Sequence, residues 1–310
     1  MRSAAMICAL LLWAPLSQAS TPDAALQGHS HPAAVNYACP MHPDVTAPAP
    51  GSCTRCGMPL ERLDPHKTAA AYRLDLETDA ALIQPGRPFS LTAMVRAQGR
   101  DEVVKDFTVV HEKRFHLFVI SRDLQHYRHL HPNQDASGAW IEELTLPVEG
   151  EYRVYADVLP TGARPQLLVG TLRVAGPSGT STPPVTLEPD RSLERTLGDL
   201  HVRLSLPRGG LVADAPQPLR FQFTDAETGA PIRDLQPYLG AWGHTVMVSE
   251  DMAHFVHAHP SEALVGTGGG PQLTFAASPP APGTYRVWTQ NMRSGALETV
   301  VFTLAVPAAR

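Results

Sequence analysis

Four residues near the N-terminus combine the types and the spacing of a metal site. A Cys-x-x-His pair and a Cys-x-x-Cys pair are joined by a ten-residue connector rich in proline, which makes the candidate ligands Cys39, His42, Cys53 and Cys56. Two ligands three positions apart can face one cation from a tight turn, so two such pairs supply the four ligands of a closed tetrahedral site. The segment has few apolar residues and therefore needs a metal or a neighbouring domain to fold.

Soft side chains beside these ligands narrow the choice of metal. Met41 lies between the first two candidate ligands, and Met58 lies two residues after the last one. Thioethers near thiolates and an imidazole suit Cu(I), Ag(I) or Zn(II) and disfavour hard cations. We therefore predict a copper or zinc ion as the cofactor. The alternative for the same segment is a disulfide among Cys39, Cys53 and Cys56.

The stretch from Tyr37 to Leu63 resembles the heavy-metal-binding domain of bacterial metal-efflux proteins. It matches the pattern Y-x-C-P-M-H-P followed by P-G-x-C-x-x-C-G-M-x-L. The resemblance implies metal contacts from the two cysteine-containing pairs, with Met41 and Met58 as auxiliaries. In that family the domain is attached to metal-pumping ATPases or efflux adaptors, but this sequence has no membrane-spanning bundle, phosphorylated-Asp motif or long coiled coil. The resemblance therefore gives a ligand class and leaves the host machine open, with a metal-efflux component at the inner or outer membrane as a candidate partner.

Residues 1–19 have the pattern of a secretory signal peptide. Arg2 precedes an apolar run from Ala4 to Leu16, and small residues lead to a cleavage position after Ala19. The run is short for a membrane span, so we expect a periplasmic or secreted protein that does not itself cross a membrane. Of the four cysteines, Cys8 would leave with the signal, and the remaining three cannot all form intramolecular disulfides. This odd number favours a metal in an oxidising compartment.

The composition indicates a β-rich protein and argues against nucleic acid as a partner. There are 30 prolines and 23 glycines in 310 residues, with few long helical periodicities. The formal net charge is −5, and no stripe of lysine and arginine is present that would bind a phosphate backbone or anionic lipid.

An internal repeat divides the rest of the chain. The segments FHLFVISRDLQHYRHLHP, from Phe115, and GHTVMVSEDMAHFVHAHP, from Gly243, align without a gap at an offset of 128 residues. Each copy also contains short alternating segments bounded by turn residues, which is typical of an immunoglobulin-like sandwich. We therefore predict an all-β fold in which a small Cys/His metal-binding module is followed by two tandem immunoglobulin-like β-sandwiches. Both copies also resemble sandwich domains of predicted secreted bacterial proteins, which implies the same fold and location.

The predicted boundaries follow from these features. They are a signal peptide at 1–19, a flexible leader with His29 and His31 at 20–36, the metal module at 37–63, sandwiches at 72–175 and 198–308, and a linker at 176–197. The predicted strands of the first copy are 72–76, 89–95, 116–121, 152–158 and 167–174. Those of the second copy are 201–206, 219–223, 244–249, 284–289 and 299–306. Tyr152 and Tyr285, which follow a glycine by two positions in each copy, are expected at a sandwich corner.

Eight of the 14 histidines lie in the repeated elements. If residues 122–125 form a turn between antiparallel strands, Phe118 faces His129, and alternation places three histidines on one face of the sheet. In the first copy these are His116, His129 and His131, and in the second His244, His257 and His259. His126 and His254 would point the other way. Three imidazoles suit Cu(II), Zn(II) or Ni(II), whereas the alternative is that both copies inherited structural histidines.

Three classes of function are consistent with these patterns. The leading hypothesis is heavy-metal binding for copper, silver or zinc homeostasis, by sequestration or by transfer to an efflux partner. A three-histidine metalloenzyme is less favoured because Asp123 and Asp251, the repeated carboxylates, are explained by turn chemistry. We therefore expect no enzymatic activity. The third class is an adaptor in which the metal is structural and the sandwiches dock a partner.

Overall fold

A computed structural model describes residues 37–40, 45–53, 59–64, 67, 70–176 and 186–308. Several predicted regions lie outside the described residues, namely the signal peptide, the leader and part of the predicted linker. Four candidate metal-site residues also lie outside them: Met41, His42, Cys56 and Met58. The described residues form twenty β-strands connected by turns and loops, so the all-β prediction is confirmed. None of the described residues belongs to a helix with the length and hydropathy needed to cross a membrane.

The metal module is a small antiparallel sheet. Its strands are β1 (Tyr37–Ala38), β2 (Thr46–Ala47) and β3 (Glu61–Arg62), in the spatial order β2-β1-β3. Where the module leads into the first sandwich, the Asp64 backbone N–H donates to the Gly162 carbonyl oxygen at 2.6 Å. The Lys67 ammonium group donates to the Thr161 carbonyl oxygen at 2.9 Å, which adds a second tie to the same loop.

The first sandwich consists of two four-stranded antiparallel sheets. Its strands are β4 (Tyr72–Thr78), β5 (Pro88–Ala97), β6 (Phe115–Ser121), β7 (Tyr127–Leu130), β8 (Asn133–Gln134), β9 (Trp140–Thr145), β10 (Gly150–Val158) and β11 (Gln166–Val174). One sheet has the order β4-β5-β9-β8 and the other β11-β10-β6-β7. Alternate apolar residues of the two sheets, such as Leu91, Leu117 and Val154, meet in one buried core.

The second sandwich repeats this plan. Its strands are β12 (Glu194–Leu197), β13 (Leu200–Ser205), β14 (Gln217–Asp225), β15 (Leu235–Gln236), β16 (His244–Ser249), β17 (Phe255–Ala258), β18 (Gln272–Ala277), β19 (Gly283–Arg293) and β20 (Ala296–Val306). One sheet has the order β12-β13-β14-β18, and the other has β15-β19-β16-β17 with β20 also paired to β19. The Tyr152 and Tyr285 hydroxyls donate to the carbonyl oxygens of Val148 and Ala281 at 3.0 and 2.8 Å, which is the corner packing expected from the sequence.

All ten predicted strands are present, with ends that differ by a few residues. The prediction missed β9 and β18, which alternate buried apolar residues with exposed polar ones but are rich in Glu or Ala. The predicted linker was too long at its C-terminal end. Residues Glu194–Leu197 pair with Leu200–Arg203 across a tight turn at Gly198, which has a φ of 56°, and so form an edge strand of the second sandwich.

The central strands β6 and β16 are buried on both faces, because the two sandwiches pack against each other through them. The interface core contains residues such as Phe118, Tyr155, Val246 and Trp288. Its contacts are reciprocal: Tyr127 stacks on Trp288 with ring centroids 4.9 Å apart, and Phe255 stacks on Tyr155 at 4.7 Å. Since these pairs exchange equivalent positions of the repeat, the interface is approximately two-fold symmetric within one chain.

Candidate metal centre

Two of the four predicted module ligands lie in described residues. Cys39 and Cys53 are buried and share a small cluster with Leu60, packed against Tyr37 and Val45. The Cys39 backbone N–H donates to the Val45 carbonyl oxygen at 3.0 Å. The fold therefore brings one cysteine of each sequence pair into the same small core.

In both sandwiches a polar turn sets the register that places the histidines. In the first copy the Ser121 hydroxyl donates to the Asp123 carboxylate, which also accepts the Gln125 backbone N–H at 3.0 Å. In the second copy the Ser249 hydroxyl and the Ala253 backbone N–H donate to Asp251 at 2.5 and 3.0 Å. The repeated aspartates are therefore turn residues, as the sequence indicated.

The predicted register is the observed one. Phe118 pairs with His129 in the first hairpin, and Val246 pairs with His257 in the second. Each hairpin therefore gathers three histidines on one face, with a nitrogen from each ring within 4.8 Å of the others. We call His116, His129 and His131 triad 1, and His244, His257 and His259 triad 2. His126 and His254 lie at the turns, where their backbone N–H groups donate to Ser121 and Ser249, and neither belongs to a triad.

Triad 1 holds three ring nitrogens at mutual distances that leave little room between them. His116 Nδ1 lies 3.3 Å from both His129 Nε2 and His131 Nε2, and the last two are 3.1 Å apart. Two nitrogens bound to one Zn²⁺ at about 2.0–2.1 Å in a tetrahedral site lie about 3.4 Å apart. The three nitrogens therefore sit near the spacing that a single ion requires.

In triad 1, hydrogen bonds on the side facing away from the other histidines determine which nitrogen carries the proton in two of the rings. His116 Nε2–H donates to the Val110 carbonyl oxygen at 2.9 Å, and His129 Nδ1–H donates to Gln290 Oε1 at 3.0 Å. In the neutral rings, His116 Nδ1 and His129 Nε2 then both carry lone pairs that face each other. A cation bound between the two nitrogens accepts both lone pairs. The outer hydrogen bonds then hold the two imidazoles in the orientation that metal binding requires.

Triad 2 resembles triad 1 but differs in one outer partner and in the contacts of its third ring. His244 Nε2–H donates to the Tyr238 carbonyl oxygen at 3.0 Å, and His257 Nδ1–H donates to the Asp157 carboxylate at 2.9 Å. His244 Nδ1 and His257 Nε2, 3.4 Å apart, therefore present facing lone pairs. Both ring nitrogens of His259 are buried without a hydrogen-bond partner among the described residues.

Burial keeps five of the triad imidazoles neutral. Removal from water lowers the pKa of His116 to about 4 and that of His131 to about 3, and the nearby positive charge of Lys113 acts in the same direction. Burial also holds the pKa values of His129, His244 and His259 well below the usual range. Neutral imidazole is the form that binds metal, so these five histidines are in the ligating state at neutral pH.

Three residues of the site were missed by the sequence analysis. Asp157 and Gln290 occupy equivalent positions on β10 and β19, opposite His116 and His244, and the alternation of those strands could have placed them on the histidine face. His111 lies in a loop, has a φ of 47°, and stacks on His259 with ring centroids 3.5 Å apart and planes within 12°. No sequence signal connects His111 to the second copy, because its counterpart at the repeat offset is Leu239.

A cleft connects the module with the histidines. It is lined by Pro40, the neighbour of Cys39, and by His116, His257 and His259. Lys113 and Arg114 also line this cleft. Met252 is buried in the interface core, where its carbonyl oxygen accepts the Tyr155 hydroxyl at 2.8 Å.

Comparison with known proteins identifies two regions of the chain. A heavy metal binding domain matches residues 36–62, which coincides with the segment whose resemblance was noted from sequence. A domain of unknown function, DUF8832, matches residues 67–169 and 195–308. No curated protein matches the chain.

Several solved structures match the chain at low sequence identity and low TM-score. The Escherichia coli adhesin FdeC is 13% identical with a TM-score of 0.25, over 78% of this chain and 66% of that chain. A DUF4785 family protein from Legionella pneumophila is 13% identical with a TM-score of 0.25, over 76% of this chain and 55% of that one. Domains 4 and 5 of the S-layer protein SbsC are 11% identical with a TM-score of 0.22, over 77% and 99%. The chain thus spans less than two thirds of the length of the first of these structures.

Proposed function

Because the chain belongs to the DUF8832 family of unknown function and carries a heavy metal binding domain, we propose that it is a periplasmic or secreted protein of copper homeostasis. It binds copper, and also silver or zinc, at the module and at the histidine triads. It then sequesters the ion or passes it to an efflux partner by ligand exchange, with no catalytic turnover.

The observation that carries this proposal is the convergence of unprotonated imidazole nitrogens in both triads. His116 Nδ1 faces His129 Nε2 at 3.3 Å, and His244 Nδ1 faces His257 Nε2 at 3.4 Å, with the outer nitrogen of each ring already donating its proton. Facing lone pairs in a buried site repel each other unless a cation or a hydrogen-bond donor lies between them. In triad 2 the third ring supplies no such donor, because both nitrogens of His259 are buried without a hydrogen-bond partner among the described residues.

The two kinds of site differ in the ions they favour. The module offers thiolates and thioethers, which favour Cu(I), and the triads offer only imidazoles, which suit Cu(II) and Zn(II). Pro40 of the module and three triad histidines line one cleft, which supports exchange of an ion between the two kinds of ligand.

Metal titration of the full chain tests the proposal. Anaerobic Cu(I) and aerobic Cu(II) and Zn(II) would be titrated into the parent, into Cys39→Ser/Cys53→Ser/Cys56→Ser, and into His129→Ala/His131→Ala/His257→Ala/His259→Ala. The cysteine variant is expected to lose one Cu(I) equivalent and the histidine variant one or two Cu(II) equivalents. The matched control is His126→Ala/His254→Ala, which removes a repeated histidine from each copy but no triad member, and should bind as the parent does.

Retention of Cu(II) and Zn(II) binding by the histidine variant would contradict the role of the triads. The protein would then be a sandwich scaffold with one small metal module. The location is tested separately, by whether cells export the chain and remove residues 1–19.

A further inference from the structure

The two triads lie against each other across the sandwich interface. Ring centroids of His116 and His257 are 5.5 Å apart, and those of His129 lie 5.7 Å from both His244 and His257. An ion bound about 2.0–2.1 Å from a ring nitrogen lies about 3.2 Å from that ring's centre, so ions in the two triads are at most about 12 Å apart. The six rings therefore form one cluster.

The outer partners of the triads are exchanged between the sandwiches. His129 of the first sandwich donates to Gln290 of the second, and His257 of the second sandwich donates to Asp157 of the first. Such partners fix the tautomer and the orientation of a ligating ring, and they raise its basicity when they are carboxylates. Each triad is consequently incomplete without the other sandwich.

The imidazole of His111, from the first sandwich, also packs against triad 2. His111 stacks on His259, and its Nε2 is buried without a partner among the described residues, as are both nitrogens of His259. A buried polar atom without a hydrogen-bond partner destabilises the fold, and an ion bound to His259 supplies a partner for one of the three atoms. Because the two rings are nearly parallel, they cannot both aim an in-plane lone pair at one ion, so His111 is a positioning residue.

We propose that the six triad histidines form a single binuclear centre for Cu(II) or Zn(II) at the sandwich interface. Each sandwich supplies three ligands to one ion and an outer partner to the ion of the other. The inference rests on the proposed binding function and adds that the two sites are neighbours whose occupancy is coupled through Asp157 and Gln290. Bound metal also ties the two sandwiches together, since each site loses its outer partner if they separate.

Paramagnetic resonance of the Cu(II)-loaded chain tests the distance. The full chain carrying Cys39→Ser/Cys53→Ser/Cys56→Ser would be used, so that thiols do not reduce the copper. At two equivalents we expect dipolar broadening or loss of signal through spin coupling. The same chain with His244→Ala/His257→Ala/His259→Ala, loaded with one equivalent, should give an unbroadened spectrum.

The outcomes separate this inference from the proposed function. Two equivalents with the spectrum of isolated ions would overturn the binuclear centre while leaving metal binding intact, and so would saturation at one equivalent. Absence of any Cu(II) binding would overturn the proposed role of the triads as well.

Asp157→Asn provides a test that keeps all six ligands. It gives His257 an amide outer partner like Gln290, and is expected to weaken binding at triad 2 by about tenfold and to leave triad 1 unchanged. Asp101→Asn, which changes a fully exposed carboxylate of the same sandwich, is the control and should have no effect. An unchanged metal affinity at triad 2, or an equal loss of affinity at both triads, would contradict the inference that Asp157 supports triad 2 across the interface.

Discussion

Triads 1 and 2 are built from the same repeated residues but are supported differently. The outer partner of His129 is the neutral amide of Gln290, and that of His257 is the carboxylate of Asp157. Position 111 supplies a ring that stacks on His259, and the equivalent position of the second copy is Leu239. The duplication therefore preserved the ligands and allowed the surroundings to diverge.

Because of this difference, two equivalent sets of ligands need not bind metal with equal affinity. A carboxylate partner makes an imidazole a stronger ligand than an amide partner does. Burial raises the pKa of Asp157, but its interactions with His257, led by the hydrogen bond, outweigh that effect and hold the pKa below its usual value, so the carboxylate is ionised at neutral pH. We therefore expect triad 2 to bind Cu(II) or Zn(II) more tightly than triad 1.

The largest expected effect comes from deleting a ligand of one triad at a time. His257→Ala should remove the tighter of the two ions, and His129→Ala the weaker, each with a loss greater than the about 10–100-fold cost of an outer partner. Calorimetric titration with Zn(II) resolves the two steps. If both variants lost the same binding step, the two triads would not differ in affinity in the way that their outer partners predict.

Gln290→Glu would make the two outer partners alike. The new carboxylate accepts the His129 Nδ1–H, so affinity at triad 1 should rise by about tenfold and approach that of triad 2. The metal-free protein should become less stable, because the carboxylate is buried beside neutral rings. Zn(II) titration and thermal unfolding of the same samples measure both changes, and a weaker triad 1 would oppose the argument.

The two sandwiches also differ in one hydroxyl group that they contribute to the interface. Tyr155 donates to the Met252 carbonyl oxygen, whereas its counterpart Trp288 has no hydroxyl. Tyr155→Phe should lower the free energy of unfolding by about 1–2 kcal/mol, since a buried carbonyl loses its donor. Urea unfolding without metal measures the loss, and Tyr127→Phe is the control because it leaves that hydrogen bond intact. Equal stability of Tyr155→Phe and the parent would show that this hydrogen bond makes no net contribution.

The smallest expected effect concerns His111. His111→Phe keeps a flat ring over His259, so affinity at triad 2 should stay within about threefold of the parent, well below the cost of an outer partner. His111→Ala removes the stack and should weaken triad 2 more than triad 1. A large loss in His111→Phe would instead identify His111 as a ligand through one of its nitrogens.

The histidine face was predictable because it depends only on local rules. The turn at Asp123 and Asp251 fixes the hairpin register, and the two-residue period of a strand then places His116 beside His129 and His244 beside His257. The edge strand at Glu194–Leu197 was missed because its four residues carry little apolar alternation, and pairing with Leu200–Arg203 decides its state.

The sequence by itself determined the module, the repeat, the all-β class and the membership of each triad, since these follow from ligand spacing and strand periodicity within short segments. Tertiary structure alone decided that both triads face the same interface and exchange their outer partners. Residues such as Asp157 and His257, a hundred positions apart, meet only because Phe118 and Val246 give their strands a second apolar face to bury. That burial is a property of the docked pair of sandwiches, and no local pattern encodes which surface will cover it.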